Sequence, residues 1–194
     1  MLGQAAVAMW WDISPEMKTE FEDWHTHEHM PERLAIPGFL RGTRWIAESG
    51  EPSYFILYET SGLATLTTGP YLERLNNPTP WSRKMMPHHL NMVRSLCVLR
   101  AGWGGGLPHT LATIRLSERS ADLPKRKGLT GVHLLESQPM AGAPQTTEQK
   151  IRGGDRTADW VMLVGGYDRE VVKAVAGASM LYRPAFSLTA HEKP

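Results

Sequence analysis

The chain has a single cysteine, Cys97, which excludes an internal disulfide. It sits in an apolar run, residues 95–99, and reads as a buried, inert thiol. An excess of charge is also lacking: 21 Lys and Arg oppose 20 Asp and Glu, a formal +1, so no global field favours nucleic acid or an anionic membrane. The basic triplet Lys125-Arg126-Lys127 is too short to alter this and reads as a solvated loop. No apolar run approaches the roughly 18 residues of a membrane span. Residues 1–13 have no positive leading segment and are interrupted by Gln4 and Asp12, so they read as a first strand and not as a signal peptide. These absences describe a cytoplasmic protein with no nucleic-acid or membrane partner. At 194 residues, 41% hydrophobic and 21% charged, the chain suffices for one large domain or two small ones.

What is present is concentrated in residues 24–42, where three histidines, two glutamates and two arginines lie beside Pro31 and a Pro37-Gly38 turn. A solvated helix face would favour Lys and Glu. This stretch favours imidazole, whose proton moves near neutral pH.

Residues 5–13 are apolar and β-compatible, with Trp10 and Trp11 on opposite faces. Ser14-Pro15-Glu16 predicts a helix start, with Ser14 as cap, Pro15 at the first helical position and Glu16 at the positive end of the dipole. Met17, Phe21, Trp24 and Glu28 then recur with the period of one helical face, His25 and His29 lie a turn apart beside it, and His27 points away. Pro31 predicts that the helix ends near His29, with residues 31–35 a separate short turn. Residues 39–47 and 54–59 form a hairpin around Ser49-Gly50-Glu51-Pro52, with Tyr54 and Tyr58 on one side. A helix follows over 63–75, a Pro-rich corner over 76–80, a helical turn over 81–86 and a strand over 91–100.

Gly102-Trp103-Gly104-Gly105-Gly106 lacks the Gly-Lys-Ser/Thr ending of a phosphate loop and reads as a linker at 103–106. The second half repeats the first in outline, with strands over 110–116, 128–136, 160–163 and 183–190 and a helix over 169–178. Residues 118–127 are polar and hold Pro124, so the counterpart of the first helix is shortened or lost. Residues 137–157, rich in Pro, Gly, Gln and Thr, read as a long mobile loop suited to act as a lid. Each βαββαβ unit leaves one sheet face apolar, so the expectation is an α+β protein with two ferredoxin-like repeats, 1–102 and 107–194, packed sheet to sheet as an intrachain barrel.

His29-Met30-Pro31, Pro37-Gly38-Phe39 and the Arg-containing strand after them resemble the EthD-like branch of the dimeric α+β barrel (ferredoxin-like) superfamily, here in tandem. The likeness covers residues 5–100 by motif and the remainder by element order. It implies a barrel with a pocket between helices and sheet, and a superfamily of cofactor-free monooxygenases, isomerases, haem enzymes and members without known activity.

The chemistry expected is proton transfer or cofactor-free oxygen chemistry on a small, largely apolar or aromatic molecule. His25 or His29 is the candidate general base and Glu28 its orienting carboxylate, although neighbours on a helix point about 100° apart. Trp24, Tyr58 and Trp81 are candidate pocket walls and Arg44 a candidate holder of an anionic oxygen. Trp81 can equally anchor its helix to the sheet, and histidines at a helix end can simply complement the dipole. No bound metal or organic cofactor is required. The alternatives are a metal or haem site on His25 and His29, with His88, His89 or Glu28 as a third ligand, and a non-catalytic ligand-binding or assembly module. Homo-oligomerisation is left open. The pocket is expected in the first half only, because residues 118–127 carry no counterparts of Trp24, His25, Glu28 and His29.

Overall fold

The computed structural model describes residues 1–120, 122–138 and 144–192. Eight antiparallel strands close into one barrel in the order β1-β3-β2-β8-β5-β7-β6-β4. They are β1 (Ala5–Ile13), β2 (Phe39–Ala47), β3 (Tyr54–Thr60), β4 (His89–Gly104), β5 (Thr110–Leu116), β6 (Leu129–Ser137), β7 (Trp160–Gly166) and β8 (Leu181–Thr189). The halves do not stack as two separate sheets. They join edge to edge, β2 with β8 and β4 with β6, which removes every free strand edge. β4 runs through Gly104, opposite Gly131, so half of the expected linker belongs to a strand.

All nine residues of β1 are buried. Strand alternation sends Ala6, Ala8 and Trp10 into the lumen and Val7, Met9 and Trp11 toward the helices. Every strand contributes to the lumen, including Trp45, Phe55, Cys97, Leu111, Leu135, Val161 and Tyr182. A second core lies between the first-half strands and their helices, and a third packs Val172 and Ala176 of α6 (Arg169–Ala176) on β6 and β7.

The first-half helical layer departs from expectation in an informative way. Ser14 makes no side-chain cap, and its segment opens with a 3₁₀ turn, Pro15–Met17, before α1 (Lys18–Trp24). The helix does not stop before Pro31. A turn of π-helix, His25–His29, leads directly into α2 (Met30–Leu34), and the Met30 N–H bonds to the His25 carbonyl five residues back. Met30 keeps helical angles (φ −68°, ψ −45°), and Pro31 falls in the first turn of α2, where its missing N–H costs least. Gly38, at φ +93°, then turns the chain into β2.

Residues 63–75 divide into a 3₁₀ turn, Leu63–Thr67, and α3 (Gly69–Asn76), and the Pro-rich corner leads to α4 (Pro80–Met85). No helix forms over 117–120 or 122–128. The 137–157 segment is not wholly loop: it holds α5 (Thr147–Ile151), capped by a reciprocal Thr146–Gln149 box, while 139–143 lie outside the described residues. No helix among the described residues is long and apolar enough to cross a membrane.

Because all strands share one lumen core, the halves should unfold together. Trp10→Ala is expected to cost about 3–5 kcal/mol in urea unfolding. Fluorescence and circular dichroism transitions should coincide, before and after the substitution.

Candidate active site

The π-turn and α2 put His25, His29 and Arg33 on the inner side of one continuous helical segment, all three buried. Beneath them lie Trp11 from β1, Tyr58 from β3 and His89 at the start of β4. His29 stacks on Trp24 at 4.4 Å between ring centroids, and the His25 and His29 rings are 5.6 Å apart. His89 lies 5.0 Å from Trp11 and 5.8 Å from Trp24. Gly42 on β2 leaves room for this arrangement, since a Cβ there would come within 2.9 Å of the Tyr58 ring.

The imidazoles are held uncharged. His25 is kept well below the ordinary value by burial, with Arg44, His89 and Arg33 adding to it. His29 is likewise lowered by burial, then by Arg33 and the neighbouring histidines. His89 falls to about 3, again mainly through burial, and its Nδ1–H donates to the Met85 and Met86 carbonyls at 3.2 and 3.3 Å, leaving Nε2 unprotonated. His25 Nε2 is 3.3 Å from the Tyr58 hydroxyl, a group that burial keeps protonated. Among the described residues, Nδ1 of both His25 and His29 is buried with no hydrogen-bond partner, as is one terminal nitrogen of Arg33. Trp11 Nε1 of the same lining is also unpaired among the described residues; buried polar atoms are rarely left so, and polar atoms of a ligand would satisfy these four.

Arg33 pairs with Glu148 of α5, both almost fully buried. Burial opposes the Arg33 charge, yet Glu148 and the nearby tyrosines raise its pKa. Glu148 also lies 3.5 Å from Arg152, which makes a two-pronged bond to Asp155 at 3.2 and 3.0 Å. The histidine pocket itself is narrow, about 30 Å³. A cavity of about 440 Å³ adjoins it, sharing Tyr71, Leu75 and Arg94, with Leu66, Leu72 and Leu96 as apolar wall. The Arg94 guanidinium donates to the Tyr71 hydroxyl at 2.6 Å across this shared border.

Of the residues expected from sequence, Trp24, His25, His29 and Tyr58 line the pocket, and Glu28, Arg44 and Trp81 do not. Glu28 orients neither imidazole: it accepts from Trp24 Nε1, Thr79 and Ser82 at 3.1, 2.6 and 3.4 Å, tying the π-turn to α4. Arg44 donates to the Glu22 carbonyl at 3.0 Å and packs over Phe21 and Phe186. Trp81 donates to Glu20 at 3.2 Å and anchors α4 on α1. His27 is exposed and lies 3.4 Å from Asp23. Neither cavity is confined to the first half, because Glu148 and Arg152 line one and residues 144–146 the other. Among the described residues, no three His, Cys, Asp or Glu side chains are gathered to hold a metal ion.

Sequence reasoning missed Arg33, Tyr71, Arg94, Glu148 and Arg152, and weighed His89 only as a third ligand of a metal or haem site. A signal existed for Arg33, four residues past His29, had the helix been carried through Pro31. The others arrive through tertiary contacts.

The architecture is that of an α+β barrel protein. Solved structures share it along nearly the whole chain. An anthrone oxidase-like protein matches with a TM-score of 0.56 at 10% identity, over 98% of this chain and 94% of its own. A candidate monooxygenase from Lactobacillus acidophilus NCFM matches at 0.52 and 7% identity, over 97% of each chain. Another from Fusobacterium nucleatum subsp. nucleatum matches at 0.50 and 8%, over 97% and 98%. No protein-family model matches the chain, and no curated protein matches it by sequence. At such identities the likeness defines the fold.

The buried neutral imidazoles have a thermodynamic signature. Unfolded, His89 takes up a proton near its ordinary value of about 6.5, whereas folded it does so only near 3. Between these values the unfolded state binds more protons, so stability rises with pH and is lost as pH falls through that window, by about 1.4 kcal/mol per unit for each such group. In His89→Gln, the pH slope of unfolding free energy between about pH 6 and 4.5 should shrink by roughly one proton. An unchanged slope would show that His89 is not buried neutral.

Proposed function

We propose that the chain is a small-molecule enzyme of the EthD-like kind, built from two ferredoxin-like repeats, 1–102 and 107–194, and working without a tightly bound organic cofactor. In each half the strand order places the first strand between the third and fourth, which supports the repeat reading. The reaction is removal of a proton from a small aromatic substrate by His29 or His25. The observation that carries this is a pair of uncharged, buried imidazoles beside a buried guanidinium, each with a nitrogen that has no partner among the described residues.

An uncharged imidazole accepts a proton, and a base must not already hold one. Taking the proton from a phenolic O–H or an activated C–H leaves negative charge delocalised on the substrate. Arg33, which lines the pocket and has one terminal nitrogen without a partner among the described residues, would stabilise that charge. Trp24 packs against His29, and Glu28, by accepting from Trp24 Nε1, holds the indole in that position. The guanidinium charge of Arg33 opposes a bare metal cation beside it, which favours proton transfer over the metal alternative. The fold neighbours include anthrone oxidase-like and candidate monooxygenase proteins, so the natural continuation is oxidation by dioxygen: the carbanion carbon bonds to the oxygen molecule, which takes up its electron pair and a proton as a hydroperoxide, and loss of water leaves a carbonyl on the substrate.

Anthrone and a panel of polyphenols, with oxygen uptake followed at an electrode, test this. His29→Ala and His25→Ala should lower turnover about 10² to 10⁴-fold, with His29 the more sensitive, while His27→Ala leaves it unchanged. The acid limb of kcat/KM should lie below the ordinary imidazole value of about 6.5, because the base is lowered by burial. Equal turnover by all three variants would remove the base from this pocket.

A further inference from the structure

Helix α5 is the wall between the two cavities. Glu148 and Arg152 face the histidine pocket, whereas Thr146 and Gln149 face the 440 Å³ cavity. A five-residue helix is far too short to be stable alone, so tertiary contacts must hold it in place. The main such contact is the Glu148 carboxylate on Arg33, supplemented by a Thr147 N–H donated to the Asn76 side chain at 3.1 Å.

The charges around that carboxylate do not balance. Arg33, Arg94 and Arg152 line the histidine pocket with Glu148, and Asp155 stands behind Arg152. Among the described residues Arg94 has no carboxylate within ion-pair distance, and its one side-chain partner is the Tyr71 hydroxyl. Among the described residues three guanidiniums thus face two carboxylates, and Arg33, though buried, has one terminal nitrogen without a partner. The histidines contribute no compensating negative charge. The cluster has the make-up of an anion-binding site already occupied by a carboxylate of the same chain.

We propose that Glu148 sits in the seat of a ligand's acidic group: the pocket takes a small aromatic carboxylate, whose carboxylate replaces Glu148 on Arg33 and Arg152 while α5 moves and the two cavities merge. This rests on the reading of the pocket as a small-molecule site, but not on a histidine acting as base. The apolar body of such a ligand fits the Leu66, Leu72, Leu75 and Leu96 wall, and its ring can reach Tyr71 and Trp24. Planar carboxylates suit the guanidinium fork, which a neutral amide of the same shape cannot satisfy.

The test is calorimetric titration of the full chain with 1-naphthoate and its uncharged isostere 1-naphthamide. Naphthoate should bind about tenfold or more tightly than the amide, the scale of one charge-assisted hydrogen bond. Glu148→Gln removes the internal competitor and should raise naphthoate affinity about tenfold further while leaving naphthamide unchanged. Replacing Arg33 and Glu148 together by Gln leaves neither as an unpaired buried charge and should abolish the naphthoate preference. Equal binding of the two probes, no binding of either, or a folded Glu148→Gln chain that binds naphthoate no better than the parent would overturn the proposal. If Glu148→Gln does not fold, the double variant decides: loss of the preference supports the seat and its retention refutes it. Predicted naphthoate behaviour with turnover unaffected in the histidine variants would keep the seat and discard the base.

Discussion

The ion pair between Arg33 and Glu148 joins two parts of the chain 115 residues apart, directly over the histidines. Two charges are taken out of water there, and such burial is tolerated only when the partners satisfy each other. Everything around the pair is arranged accordingly. The π-turn points Arg33 inward, the capping box stiffens α5 so that Glu148 projects at the right place, and Arg152 with Asp155 supplies a second tier of charge. Closing the site in this way buries the imidazoles beneath it, and burial is the first cause of their lowered proton affinity.

The barrel supports the site by rigidity. Its lumen is packed by side chains from all eight strands, so the strands that present Trp11, Tyr58 and His89 cannot move independently. The helical layer is less uniform: it contains 3₁₀, π and short α segments in succession. Irregular helical turns of this kind recur at functional positions, where the widened turn re-aims side chains. Here it carries the helix through Pro31 into α2, so that His25, His29 and Arg33 share one buried side.

Most of the strand framework was legible in the sequence, because alternation and turn chemistry are local. Residues 5–13, 39–47 and 110–116 are strands with the predicted bounds, and Tyr54 and Tyr58 share the helix-facing side as their spacing requires. The α+β barrel class followed from element order. Pro31 misled, since the rule that proline ends a helix assumes an ordinary turn before it, and a π-turn changes the bonding there. Stopping the helix early hid Arg33. α5 was lost in a polar, Gly-rich stretch, although Thr146-x-x-Gln149 is a capping-box signal that could have revealed it. Glu28 was misassigned for a geometric reason visible in advance, namely that consecutive helical residues diverge by about 100°. The Arg33–Glu148 pair had no local signal at all, because it depends on how the barrel closes.

A base in this pocket requires that the imidazoles under the ion pair be uncharged at neutral pH. Site-resolved NMR of ring nitrogens in the histidine-labelled chain, with resonances assigned by the His25→Ala and His29→Ala variants, measures it directly. His25 and His29 should give neutral-imidazole shifts at pH 7 and still be neutral about one unit below the ordinary value of roughly 6.5. Imidazolium shifts for both at pH 6.5 or above would mean that burial does not hold them as free bases, and the central claim would be wrong.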